Sequence, residues 1–130
     1  MILGINTSTP VCELRIVGDD GGVILSDSWE AGRELSTGLL AYIEQSLQKA
    51  GASWGDLTGL IVYRGPGSFT GLRIGVTVMN TIARAQHIPI VGTSADDWAE
   101  DGFARLSHSE DDELLMPFYG AAPNITQPRK

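Results

Sequence analysis

Arg64-Gly65-Pro66-Gly67-Ser68-Phe69-Thr70-Gly71-Leu72-Arg73-Ile74-Gly75 joins an apolar run to a long apolar helix, and its reading decides the fold. Gly65, Gly67 and Gly71 supply backbone freedom where a side chain would clash or where positive φ is needed. Pro66 fixes φ and ends the preceding strand. The turn therefore has one intended shape. Before it, Leu60 to Tyr63 reads as a buried strand; after it, a helix runs from about Thr70 to Gln86, and Ile88 to Val91 makes a further strand.

Working toward the N-terminus, a helical period covers Glu34 to Ala50, with Leu35, Leu39, Leu40, Ile43, Leu47 and Ala50 on one side and Gly51 as the stop signal. Three extended segments precede it. Ile2 to Asn6 is a continuous apolar run, Val11 to Val17 alternates Cys12, Leu14 and Ile16 with Glu13 and Arg15, and Gly22 to Trp29 follows a turn of Gly18, Asp19, Asp20 and Gly21. The order is strand, strand, strand, helix, strand, helix, strand.

On a helical wheel the second helix confines Arg73, Thr77, Asn80, Thr81 and Arg84 to one sector, leaving an apolar arc of roughly 200°. One sheet face cannot cover so wide an arc. Two burial surfaces are expected, with Leu72, Val76, Met79 and Ala83 against one neighbour and Ile74, Val78, Ile82 and Ala85 against another. The second neighbour is either the first helix of the same chain or a protein partner.

Composition narrows the function classes. The chain has 130 residues, 42% apolar and 19% charged, with a formal net charge of −7, which suits one modest domain and disfavours broad capture of a nucleic-acid backbone. The single Cys12 excludes an intramolecular disulfide. With no basic leader and no apolar run of spanning length, the sequence reads as cytoplasmic and not membrane-bound.

The glycine turn at a helix start raises a phosphate-binding alternative, since backbone N–H groups with Ser68 and Thr70 could hold an anion. It lacks the Gly-Lys-Ser/Thr ending of a Walker loop and is not a G-x-G-x-x-G fingerprint. Gly67-Ser68-Phe69 is not a nucleophile elbow, and no histidine partner can be assigned to Ser68. His87 and His108 stand alone, so no metal pair is expected. No catalytic residue is assigned.

Met1-Ile2-Leu3-Gly4-Ile5-Asn6-Thr7-Ser8-Thr9, the glycine turn, and Gly92-Thr93-Ser94-Ala95 together resemble the TsaB (YeaZ) family. The resemblance covers residues 1 to about 100. It implies an α/β fold: a single lobe of the actin-like, ribonuclease-H-like ATPase fold, with a mixed five-stranded sheet and helices packed on it. The first three strands would be antiparallel and the rest parallel. It also implies a non-catalytic subunit of the machinery that makes threonylcarbamoyladenosine beside the tRNA anticodon. Such a subunit pairs with a TsaD-like catalytic paralogue, the complex recruits a TsaE-like ATPase, ATP is used by the partner complex, and tRNA is met only indirectly. This chain would need no cofactor.

The family contact would use the two helices, placing Leu39, Tyr42, Ile43, Ser46, Ile74, Val78, Met79 and Ile82 near a shared helix bundle. With Arg64, Gly65, Gly67, Ser68, Phe69, Thr70, Gly71 and Gly75 of the turn, these are the candidate binding residues. The same faces would serve a homodimer when the chain is alone, so a stand-alone homodimeric scaffold is the competing reading.

The sequence departs from the family in three places. Asn6 stands where this fold commonly has an acid, and an amide is a poor base and Mg²⁺ ligand. Arg33-Glu34-Leu35 stands where relatives often read Arg-Glu-His. The family's usual second lobe is not found: residues 1–106 read as the lobe and 107–130 as an acidic loop with an extended tail, as if by internal deletion. Eight of the sixteen acidic residues fall between Asp96 and Glu113, a charged linker or a docking surface for basic partners.

Overall fold

Parity of the apolar residues sets the sheet. The computed structural model describes residues 1–118, in which β1 (Ile2–Asn6), β2 (Val11–Val17) and β3 (Val23–Glu30) form an antiparallel meander. β4 (Gly59–Tyr63) joins β1 in parallel, β5 (Ile90–Thr93) joins β4 in parallel, and the sheet order is β3-β2-β1-β4-β5. The expected mixed sheet is the observed one. The tail from Ala121 to Lys130, expected from sequence to be extended, lies outside the described residues.

Alternation sends Leu3, Ile5, Cys12, Leu14, Ile16, Leu60, Val62 and Ile90 to one face, where α1 (Leu35–Lys49) and α2 (Phe69–Gln86) cover them. The opposite parity sends Ile2, Val17, Ile61 and Val91 to α3 (Trp98–Ser107). Glycine lets α3 approach closely: a Cβ at Gly102 would run into the Ile61 side chain, and one at Gly4 would sit 3.0 Å from the Trp98 ring.

Boundaries move for local reasons. A 3₁₀ turn at Gly32–Glu34 precedes α1, so the α-helix proper starts at Leu35. α2 begins one residue earlier than the sequence suggests because Ser68 caps it, its hydroxyl accepting from the Gly71 N–H at 3.3 Å. The last strand is Ile90–Thr93 rather than 88–91. His87 ends α2 in the left-handed region at φ 56°, and the Ile88 N–H still bonds back to the Ala83 carbonyl.

Candidate functional site

The glycine turn is seated on the bend that follows β1. The Asn6 side-chain carbonyl accepts from the Ser8 N–H at 2.9 Å and the Ser8 hydroxyl at 2.7 Å, a local bond that turns the chain out of the sheet. Thr7 and Ser8 are thereby presented to the start of α2. Thr7 donates its hydroxyl to the Gly71 carbonyl at 2.7 Å, and the Ser68 N–H donates to the Ser8 carbonyl at 2.9 Å.

That contact explains the glycines. A Cβ on Gly67 would run into Ser8, one on Gly71 into the Thr7 carbonyl oxygen, and one on Gly75 into the Thr7 hydroxyl. The space these glycines leave is filled by the chain's own bend. Gly65 is different, with φ 129° and its open side against the Phe118 carbonyl. The Gly65–Pro66 peptide is cis, and the Tyr63 hydroxyl donates to the Pro66 carbonyl at 2.9 Å.

The two arginines of the motif part company. Arg64 lies under Leu115 and Gly92 on the side of Asp112, and its Nε is buried without a hydrogen bond. Arg73 is exposed, its guanidinium 5.5 Å from the centre of the Phe69 ring, itself 54% exposed.

The helix residues expected to meet a partner are sorted by burial. Leu39 and Ile43 at 0% and Ile82 at 6% exposure lie in the chain's own core, with Ser46 and Met79, which corrects the expectation that they face another protein. Spacings of three and four residues place them on the buried faces of the helices. Tyr42 is held on the β3 side of α1, its ring 5.0 Å from Trp29 and its hydroxyl donating to Asp27 at 2.9 Å. Burial first, and then that carboxylate, push the Tyr42 pKa above its usual range.

Ile74 and Val78 remain partly exposed. With Ser36, Thr70, Arg73 and Thr77 they line an open groove of about 480 Å³ between α1 and α2. A second hollow of about 390 Å³ adjoins it, lined by Thr9, Arg33, Ser36, Ser68 and Thr70 among others. Leu40, one turn beyond Ser36 on α1, is 55% exposed. The sequence reading put Leu40 with the core leucines; its offset by one residue from Leu39 was the available signal that it points elsewhere.

The acidic stretch is partly structural. Asp111 and Asp112 accept from the Ile90 and Gly92 N–H groups of β5, and Arg105 donates to Asp112 at 2.6 Å and Glu110 at 2.7 Å. Burial works to raise the Asp112 pKa, yet the Arg105 bond, the Gly92 N–H and the charges of Arg105 and Arg64 hold it below 3.8. Leu115 is buried at 3%, with its N–H and carbonyl both bonded to the Asn80 side chain at 2.9 Å. Among the described residues no group of three or more metal-ligating side chains converges, and no helix is long and apolar enough to cross a membrane.

Residues 17–98 match the family model described as "TsaD: tRNA N6-adenosine threonylcarbamoyltransferase". The tRNA threonylcarbamoyladenosine biosynthesis protein TsaB of Escherichia coli (strain K12) is 31% identical over 81% of this chain and 47% of its own length. TsaB of Buchnera aphidicola subsp. Schizaphis graminum (strain Sg) is 32% identical over 72% and 44%. The chain thus spans about half the length of these curated relatives. Among solved structures, YeaZ from Pseudomonas aeruginosa superposes with a TM-score of 0.63 at 29% identity, covering 72% of this chain and 42% of that one.

Proposed function

This chain belongs to the TsaB (YeaZ) family, within the wider group that the TsaD family model describes, and from that premise we propose that it serves tRNA threonylcarbamoyladenosine biosynthesis as a non-catalytic, partner-binding subunit. The observation that carries the reading is the open groove between α1 and α2, where Ile74 and Val78 stay partly exposed, on the same two helices that carry the exposed Leu40 and Phe69. Partly exposed aliphatic side chains in a groove rimmed by Ser36, Thr70, Arg73 and Thr77 give an apolar centre and a polar rim, the anatomy of a protein interface.

The glycine turn supports the non-catalytic half. Ser68 caps α2, Thr7 bonds Gly71, and Asn6 is engaged with Ser8, so these side chains are committed to joining β1 to α2. In this reading the partner is a TsaD-like catalytic paralogue, a TsaE-like ATPase joins the complex and consumes ATP there, and tRNA is contacted through the partner. The chain forms a homodimer through the same groove when alone, and works in the cytoplasm.

The test is light scattering coupled to size-exclusion chromatography, on this chain alone and after mixing with a TsaD-like protein from the same source. Replacement of the self-dimer by a one-to-one complex, lost with Val78→Asp, is the expected result. A self-dimer that persists with no mixed species overturns pairing with the paralogue and favours a stand-alone scaffold.

A further inference from the structure

The two hollows between α1 and α2 are charged with one sign. Arg73 lines the larger and Arg33 the smaller, and the two share Ser36, Thr70 and Ile74. Among the described residues no carboxylate lines either. α2 carries no acidic residue, and Glu34 and Glu44, the acids of the 3₁₀ turn and of α1, stand outside both linings. A chain with a formal net charge of −7 thus keeps a cationic rim around the partly exposed Ile74 and Val78.

Neither arginine is neutralised within the chain. Both are exposed, and among the described residues neither enters an ion pair, whereas Arg15 and Arg105 do. Arg73 lies 5.5 Å from the centre of the Phe69 ring, a contact that leaves its charge without a carboxylate.

Candidate occupants differ in how they answer that rim. In an isologous self-contact the same lining meets itself, so arginine meets arginine. A polynucleotide would satisfy the arginines but leave Ile74 and Val78 without apolar partners, and the net negative charge opposes its approach. A helix of another protein, with carboxylates on either side of an apolar stripe, fills the centre and neutralises the rim.

We propose that Arg33 and Arg73 are specificity-determining residues of the groove, selecting such an acid-flanked apolar helix face of a different protein over a second copy of this chain. The inference rests on reading the groove as the surface that binds the paralogue. Affinity for the TsaD-like protein, by titration calorimetry, and self-association, by light scattering, are compared for three chains. These are the wild type, Arg33→Gln with Arg73→Gln, and Arg84→Gln, which removes an exposed α2 charge outside both hollows. At low salt the double variant should bind the paralogue about tenfold more weakly, a difference that shrinks as salt rises, because rim pairs are individually weak and screened. Its self-association should be no weaker than the wild type's, and Arg84→Gln should match the wild type in both. Arg33→Lys with Arg73→Lys, which keeps both charges, should restore most of the affinity; a loss equal to that of the glutamine pair makes shape rather than charge the cause and overturns the proposal. A complex indifferent to the glutamine pair, weakened as much by Arg84→Gln, or weakened in parallel with self-association overturns the selection and leaves the groove a partner surface. Absence of any complex with the wild-type chain overturns the reading of the groove itself, and the selection with it.

Discussion

Thr7 donates its hydroxyl to the Gly71 carbonyl at 2.7 Å with only 1% of Thr7 exposed, so the end of β1 and the first turn of α2 are joined by a bond shielded from water. The relationship ranks the glycines. A Cβ at Gly71 meets the Thr7 backbone carbonyl, which cannot swing away, whereas one at Gly75 meets the Thr7 side chain, which can rotate. Gly71→Ala is expected to cost about 3 kcal/mol. Gly75→Ala should cost about 1 kcal/mol, because helix propensity offsets part of the lost hydrogen bond. Urea unfolding of both variants gives the order, and a reversed order contradicts the packing account.

Val78 and Ile82 lie one turn apart on α2 yet should respond in different ways. Ile82→Asp buries a carboxylate at a position 6% exposed and is expected to cost about 4 kcal/mol or more, visible as a collapse of the thermal transition. Val78→Asp, at the partly exposed groove, should leave stability within about 1 kcal/mol while abolishing association. Circular dichroism and light scattering on the same samples separate the two. Equal loss of fold in both variants would remove Val78 from the surface.

Much of this was legible because the signals are local. Alternation in Val11 to Val17 and the period of four in Leu35, Leu39, Ile43 and Leu47 are direct consequences of strand and helix geometry, and they placed the sheet and α1. The allocation of α2's wide apolar arc was not legible. Ile82 and Val78 have the same character in sequence, and only the packing of the folded chain buries one and leaves the other partly exposed. The roles of Asp111 and Asp112 were hidden for a similar reason: an acidic run looks solvated until its register against β5, some twenty residues away, is known.

Ser68 is expected to behave as a cap. Ser68→Ala removes the acceptor for the Gly71 N–H and should cost about 1 kcal/mol in urea unfolding, with association through the α1–α2 groove unchanged. Abolished partner binding with no stability change would instead make Ser68 a contact residue.

The Cys12 thiol, 1% exposed, is pushed up to about 12 by burial first and then by the Glu13 charge. Thiolate is the reactive form, so alkylation near pH 8 must wait for the domain to open. Reaction with iodoacetamide should run about a thousandfold or more slower in the native protein than in urea, a ratio set by the stability of an ordinary domain. Fast native labelling would place β2 in a readily opened part of the sheet.

Asp112 gives the expected acid response. Its pKa is lower in the fold than the ordinary 3.8, so the unfolded chain binds more protons in that range. The associated stability is therefore fully present above the ordinary value and is lost as pH falls through it toward the folded one. Between about pH 6 and pH 3 the wild-type chain should lose more stability than Asp112→Asn, which has no carboxylate to protonate. Added salt should shrink the difference, because Arg105 and Asp112 are both partly exposed and their attraction is screened. Parallel pH profiles for the two proteins would mean that the covering of β5 is held by the hydrogen bonds of Leu115 and Asn80 and not by the charges of Arg105 and Asp112.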